Sequence, residues 1–184
     1  MNRIKLHDKY FVPYISKDEI MKAIDRVAEH LNNDFMDSTE IPIILCTMNG
    51  AIVFAGELLT KLKFNLIVSG IKVSSYEGIN SSGNIKEVLG LNTDVEGRTV
   101  IIVEDIVDTG ATIMKLCENL CNRKAKEVRI CTLFVKSEVY SHDRKLDYVG
   151  MEVADKFIVG HGLDYDELGR NLPGIYILDE QNTQ

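Results

Sequence analysis

The sequence lacks a surplus of positive charge. Its 21 Lys and Arg face 28 Asp and Glu, a formal net charge of −7. Proteins that bind nucleic acid or anionic membrane surfaces gather Lys and Arg around phosphates, so neither partner is expected. An acidic protein that takes a phosphate ligand must use backbone N–H groups, a few placed cations or a divalent metal. Also missing is any apolar run near the roughly 20 residues of a membrane span. The clean apolar stretches, such as Val100–Val103, have the length of core strands. The opening stretch MNRIKLHDKYF has no apolar segment of signal-peptide length, and a cytoplasmic location is the expectation. There is no CxxC and no histidine cluster. Cys46, Cys117, Cys121 and Cys131 therefore read as reduced and mostly buried. Cys117 and Cys121 stand four residues apart on a predicted helix, where they read as small apolar groups rather than zinc ligands.

What is present is an ordinary globular composition, 184 residues with 45% apolar and 27% charged. That is enough chain for one domain, 1–184, with a substantial core. Ser16 followed by Glu19 is a capping-box signature. The helix it opens places Ile20, Ile24, Val27, Ala28 and Leu31 on one face. IPIILC (41–46) reads as a strand, AIVFAGELLTKL as a helix and LIVSGIKV (66–73) as a strand. Residues 74–98 read as a long loop or a hairpin with a flexible tip. A strand then leads into a helix that ends near Asn122. EVRICTLFV (127–135) and KFIVG (156–160) read as further strands, and GIYIL (174–178) is the last apolar segment. Strands alternating with helices predict an α/β fold, a mostly parallel twisted sheet flanked by helices. Ligands collect at the carboxyl ends of such strands. The loops there are Thr47–Gly50, Glu104–Thr112 and the segment after Val159.

VIIVEDIVDTGAT (100–112) carries the most chemistry. Its apolar strand is expected to end abruptly at Glu104-Asp105, and two adjacent carboxylates there need a metal ion or sugar hydroxyls to compensate their burial. Asp108-Thr109-Gly110-Ala111-Thr112 forms a turn opening a helix, whose N–H groups make an anion cradle to which the threonine hydroxyls can add. Carboxylates beside a phosphate pocket fit a phosphorylated sugar. A P-loop is excluded, because GxxxxGK[ST] is absent.

This stretch resembles the phosphoribosyl-pyrophosphate (PRPP) motif of type I phosphoribosyltransferases. LCTMNGA (45–51), SSY (74–76), Lys136 in LFVKS and KFIVGHGLDYDELGRNLPGIYIL (156–178) narrow the resemblance to the hypoxanthine-guanine branch. It implies a core over about 41–160, a small hood from about 1–15 and 161–184, and a flexible hairpin loop. It implies transfer of 5-phosphoribosyl from PRPP to hypoxanthine or guanine, with Mg²⁺ as cofactor and a homodimer or homotetramer. Asp108 matches the general acid/base. Glu104 and Asp105 match the pair facing the ribose hydroxyls and magnesium, and Asp164 a further magnesium-associated carboxylate. Thr109, Gly110, Ala111 and Thr112 match the 5′-phosphate cradle. Asn49, Gly50, Ser75, Tyr76 and Arg170 match the pyrophosphate side, and Met48-Asn49 a peptide often cis in the family. Lys136 matches the donor to the purine 6-oxo group, Phe157 the aromatic that stacks on the base, and Ile158 a main-chain contact to its edge.

The chain departs from the pattern at Asn49, where many relatives have Lys, and at Ala51, where they have Gly. His161 stands where an aromatic is common and reads as a packing residue. Two rival readings are an RNA-binding regulator on the same fold, using the basic stretch of residues 121–145, and a phosphoribosyltransferase selective for xanthine.

Overall fold

The computed structural model describes residues 2–74, 86–89 and 91–180. Its elements run β1 (Ile4–Leu6), β2 (Lys9–Ile15), α1 (Lys17–Phe35), β3 (Ile43–Met48), α2 (Ile52–Leu59), β4 (Ile67–Ser74) and β5 (Lys86–Leu89). They continue with β6 (Thr99–Val107), α3 (Ala111–Asn122), β7 (Glu127–Val135), β8 (Tyr148–Glu152), β9 (Ile158–Val159) and β10 (Ile175–Leu178).

The larger sheet has the order β5-β4-β3-β6-β7-β8. Five strands are parallel, and β5 joins β4 antiparallel at the edge. Fully buried strands read as continuous apolar runs, and Ile43–Leu45 and Val100–Val103 are all at 0% exposure. Helices cover both faces. Ser16 caps α1 through the expected reciprocal bonds with Glu19, and α1 buries the predicted stripe together with Ala23 and Phe35. It packs with Phe54, Ala55 and Leu58 of α2 against one face of the sheet. Ile113, Leu116, Cys117 and Leu120 of α3 cover the other. Cys46 and Cys131 are also buried, whereas Cys121 is exposed.

The second sheet, β1-β2-β10-β9, joins the two ends of the chain around Phe11, Val159 and Tyr176. Two local expectations are corrected, and one strand is added. The segment 156–160 does not extend the large sheet: Ile158 and Val159 pair antiparallel with Ile177 and Tyr176 of β10. The strand carrying Glu104-Asp105 does not stop at the acids. Ile106 and Val107 restore the apolar pattern and pair with Phe134 and Val135 of β7. An eighth strand, β8, extends the sheet beyond β7, with Tyr148 and Gly150 facing inward. The predicted flexible hairpin tip falls on residues outside the described ones.

Candidate active site

The carboxyl ends of β3, β6 and β7 bring the first two predicted loops together. Glu104 folds back toward β3, where its Oε1 lies 2.8 Å from the Thr47 hydroxyl and accepts the Asp105 N–H at 3.2 Å. Asp105 is only 8% exposed and accepts the Ile106 N–H at 3.0 Å. Burial, then the adjoining Asp105 carboxylate, push the Glu104 carboxyl well above the usual carboxylate range. No cation pairs with either acid among the described residues. The Met48–Asn49 peptide is cis. The next residue, Gly50, lies against Asp105, and a Cβ there would stand 1.9 Å from Asp105 Oδ2. Only glycine permits that approach. The first loop thus sits directly on the acid pair.

Asp108, Thr109, Gly110, Ala111 and Thr112 line a cavity of about 120 Å³ with Glu104, Ile106, Val107 and Ile113. Gly110 caps α3 at φ +87, and Thr109 Oγ1 accepts the Ala111 N–H at 3.4 Å. The first-turn N–H groups of a twelve-residue helix therefore open toward this cavity, the arrangement that holds an anion.

Lys136 follows β7, and its ammonium lies 2.9 Å from Asp108 Oδ2 and 3.0 Å from Asp155 Oδ1. Burial works to lower its value, but the two carboxylates outweigh that and hold it above the ordinary lysine level. Phe157 lies just before β9 and is 47% exposed. Phe11 and Tyr165 support its ring at centroid distances of 6.2 and 5.8 Å. Ile158 is buried beside it.

The third loop is a hairpin in which Gly160 and Leu163 exchange main-chain hydrogen bonds at 3.0 Å, as Tyr165 and Leu168 do at 2.8 and 3.1 Å. Arg170 Nη1 donates to the Gly162 carbonyl and Nη2 contacts Asp164 Oδ1, each at 2.8 Å. Gly162 abuts the first loop, where a Cβ would stand 2.0 Å from the Gly50 carbonyl. Asn49, Gly50, Asp164 and Arg170 thus belong to one packed unit. Ser75 and Tyr76 lie outside the described residues.

A phosphoribosyl transferase domain matches residues 15–166. The chain belongs to the phosphoribosyltransferase family. It is 40% identical over 165 residues to the hypoxanthine-guanine phosphoribosyltransferase of Bacillus subtilis, covering 89% of this chain and 91% of that one. It is 39% identical over 166 residues to the hypoxanthine-guanine-xanthine phosphoribosyltransferase of Tritrichomonas foetus, covering 90% of each. The crystal structure of a hypoxanthine phosphoribosyltransferase from Staphylococcus aureus superimposes with a TM-score of 0.85 at 30% identity, covering 92% of each chain.

Within this phosphoribosyltransferase, sequence reasoning missed Thr47 and Asp155. Asp155 directly precedes the segment 156–178 already singled out, so an acid beside Lys156-Phe157 was available as a signal. Thr47 stood out only as the first residue of a candidate loop, because its contact with Glu104 depends on β3 lying beside β6. The basic stretch is largely engaged internally. Lys124 pairs with Glu96, Lys126 with Glu40, and Arg129 with both Asp34 and Glu127. Lys136 points into the site, and Arg144 donates to the Val128 carbonyl. An RNA phosphate would have to displace these partners. No helix among the described residues is long and apolar enough to cross a membrane.

Proposed function

We propose that this phosphoribosyltransferase is a purine-salvage enzyme that transfers 5-phosphoribosyl from PRPP to N9 of hypoxanthine or guanine, giving IMP or GMP and pyrophosphate. The observation that carries the reading is the Lys136 ammonium held 2.9 Å from Asp108 next to the phosphate turn. A base whose O6 accepts from Lys136 has N7 near Asp108 and N9 toward the sugar. Adenine lacks that acceptor and turns an amino group toward the ammonium instead. Phe157, exposed on one side and braced on the other, is suited to stack on the base, with the main chain at Ile158 along its edge.

In the reaction N9 forms the bond to C1′ as the bond to pyrophosphate breaks. Asp108 takes the proton released from N7, and its charge offsets the positive charge developing on the ribose. The 5′-phosphate lies in the turn Thr109–Thr112, and Asn49, Gly50 and Arg170 bind pyrophosphate. Ser75 and Tyr76 are assigned to a loop that closes over the site and excludes water. The small sheet acts as a hood over the base, within a single functional domain.

Two adjacent buried carboxylates with no cation beside them among the described residues suit a divalent metal. No group of three His, Cys, Asp or Glu side chains is arranged to hold one among the described residues. That fits magnesium, which takes one or two carboxylates and completes its shell with water and substrate phosphates. Glu104 and Asp105 would hold it, with Asp164 at the pyrophosphate end, and it would neutralise the leaving group. A homodimer or homotetramer in the cytoplasm is the assembly we propose.

Initial rates with PRPP, Mg²⁺ and each of hypoxanthine, guanine, xanthine, adenine and uracil test the reading. Hypoxanthine or guanine should react fastest and adenine and uracil negligibly. Xanthine is a second reading, because it shares O6 and the Tritrichomonas foetus relative carries it in its name. Absence of transfer to every 6-oxopurine would overturn the assignment.

A further inference from the structure

Phe157, assigned to stack on the base, is one of three packed rings. Phe157, the fully buried Phe11 and Tyr165 form a closed triangle, with centroid distances of 6.2, 5.9 and 5.8 Å. Tyr165 meets Phe157 at 86°, the arrangement in which the positive edge of one ring faces the negative face of the other. The Tyr165 hydroxyl donates to Asp8 Oδ1 at 2.8 Å, in the turn between β1 and β2. From the same turn the His7 ring lies edge-on to Tyr165 at 5.8 Å, and its Nε2 donates to the Asp166 carbonyl at 2.9 Å. His7, Asp166 and Glu167 hold φ +48, +48 and +71, angles that non-glycine residues keep where surrounding contacts fix them. Two turns far apart in sequence are thus locked tip to tip around one tyrosine.

The backbone of Tyr165 reaches the other side of the site. Asp164 directly precedes it, with Oδ1 on Arg170 Nη2 and Oδ2 accepting the Glu167 N–H, each at 2.8 Å. The Tyr165 N–H donates to the Leu168 carbonyl at 2.8 Å, and its carbonyl accepts the Leu168 N–H at 3.1 Å. A shift of the Tyr165 backbone therefore moves the turn that holds both oxygens of Asp164. The side chain of Tyr165 ends on the base platform, and its main chain ends on the pyrophosphate corner.

We propose that Tyr165 is a positioning residue that couples the two substrate sites: it carries the seating of a base on Phe157 to Asp164 and Arg170, so that base and pyrophosphate each tighten the binding of the other. It acts through Phe157 and Asp164 rather than on a reacting atom. A base pressed on the open face of Phe157 fixes the ring triangle. The buried Phe11 and the hydrogen bond to Asp8 keep the Tyr165 ring from absorbing that adjustment alone, so it passes to the backbone beside Asp164. The second ligand then meets a site already set, and by linkage the effect is the same in either order. The inference rests on the assignment of Phe157 to the base and of Asp164 and Arg170 to pyrophosphate.

Hypoxanthine and magnesium pyrophosphate do not react with each other, so both can be bound at equilibrium. Calorimetric titration of hypoxanthine into wild type, Tyr165→Phe and Tyr165→Ala, with and without saturating magnesium pyrophosphate, tests the coupling. In wild type, pyrophosphate should lower the hypoxanthine Kd roughly tenfold. Tyr165→Phe keeps the ring triangle and should retain a factor of about three or more. Tyr165→Ala should bring the factor below about two. If Tyr165→Ala does not fold, Tyr165→Leu, which fills the space without a ring, replaces it with the same expectation. A merely structural role would weaken both ligands and leave the factor as in wild type. That result, a wild-type factor of one, or a factor lost equally in Tyr165→Phe overturns the coupling through the rings. Absence of transfer to every 6-oxopurine in wild type sinks the functional assignment instead.

Discussion

Lys136 is shared between Asp108 and Asp155, at 2.9 and 3.0 Å from one oxygen of each. Without a base the proposed general base is thus tied up in an ion pair, and a base that draws Lys136 to its O6 frees Asp108. Asp155 then keeps the ammonium charged and in place. Asp108→Asn should leave the fold and PRPP binding largely intact while kcat falls by a factor on the order of 10² or more. Thermal unfolding and steady-state rates check this, and near-normal turnover would remove Asp108 from its role.

Gly50 and Gly56 make a controlled pair. A Cβ at Gly50 meets Asp105 Oδ2 at 1.9 Å, whereas one at Gly56, inside α2, meets nothing within 4 Å. Gly56→Ala should raise stability by about 0.4–1 kcal/mol by limiting the unfolded chain. Gly50→Ala should force the first loop off the acid pair and abolish most activity. Urea midpoints and initial rates of the two variants, measured side by side, separate the effects.

The Glu104 carboxyl, raised by burial and by Asp105, sets a direction for stability against pH. Its folded value lies above the unfolded one, so the native state binds more protons between the two. Stability from this group is present at low pH and declines as pH rises past the ordinary glutamate value of 4.5 through the folded value. In metal-free protein the urea midpoint should fall over that interval, and Glu104→Gln should flatten the slope. An unchanged slope in the variant would place the titration elsewhere.

Thiol chemistry gives a structural check. Cys46, Cys117 and Cys131 are buried, and Cys121 is exposed. Burial, reinforced by Glu104 and Asp105, pushes the Cys46 thiol up to about 11. The native protein should therefore release one fast equivalent with an aromatic disulfide reagent, and Cys121→Ser should eliminate it. All four thiols should react on unfolding.

Much of this was legible in sequence because local signals and tertiary structure agree. The Ser16–Glu19 box and the apolar stripe behind it specify α1, and the runs 43–46 and 100–103 are too apolar to lie anywhere but inside a sheet. The 108–112 turn was legible through its glycine, which adopts φ +87. What escaped depends on pairing between distant segments. Lys9–Ile15 contains Pro13 and mixes exposed with buried positions, so its strand character comes from β1 and β10 on either side. Ile158-Val159 looks like any short apolar strand, and only the position of β10 assigns it to the small sheet.

Arg170 and Asp164 neutralise each other across 2.8 Å. The charge of this corner is therefore held as an exchangeable pair. An arriving anion that takes Arg170 alone strands a carboxylate next to new negative charge. An anion that brings its own cation offers each partner a replacement, exchanging one ion pair for two. Under the proposed assignment of Arg170 and Asp164 to the pyrophosphate side, that exchange would favour the metal complex over the bare anion before any bond to the sugar changes.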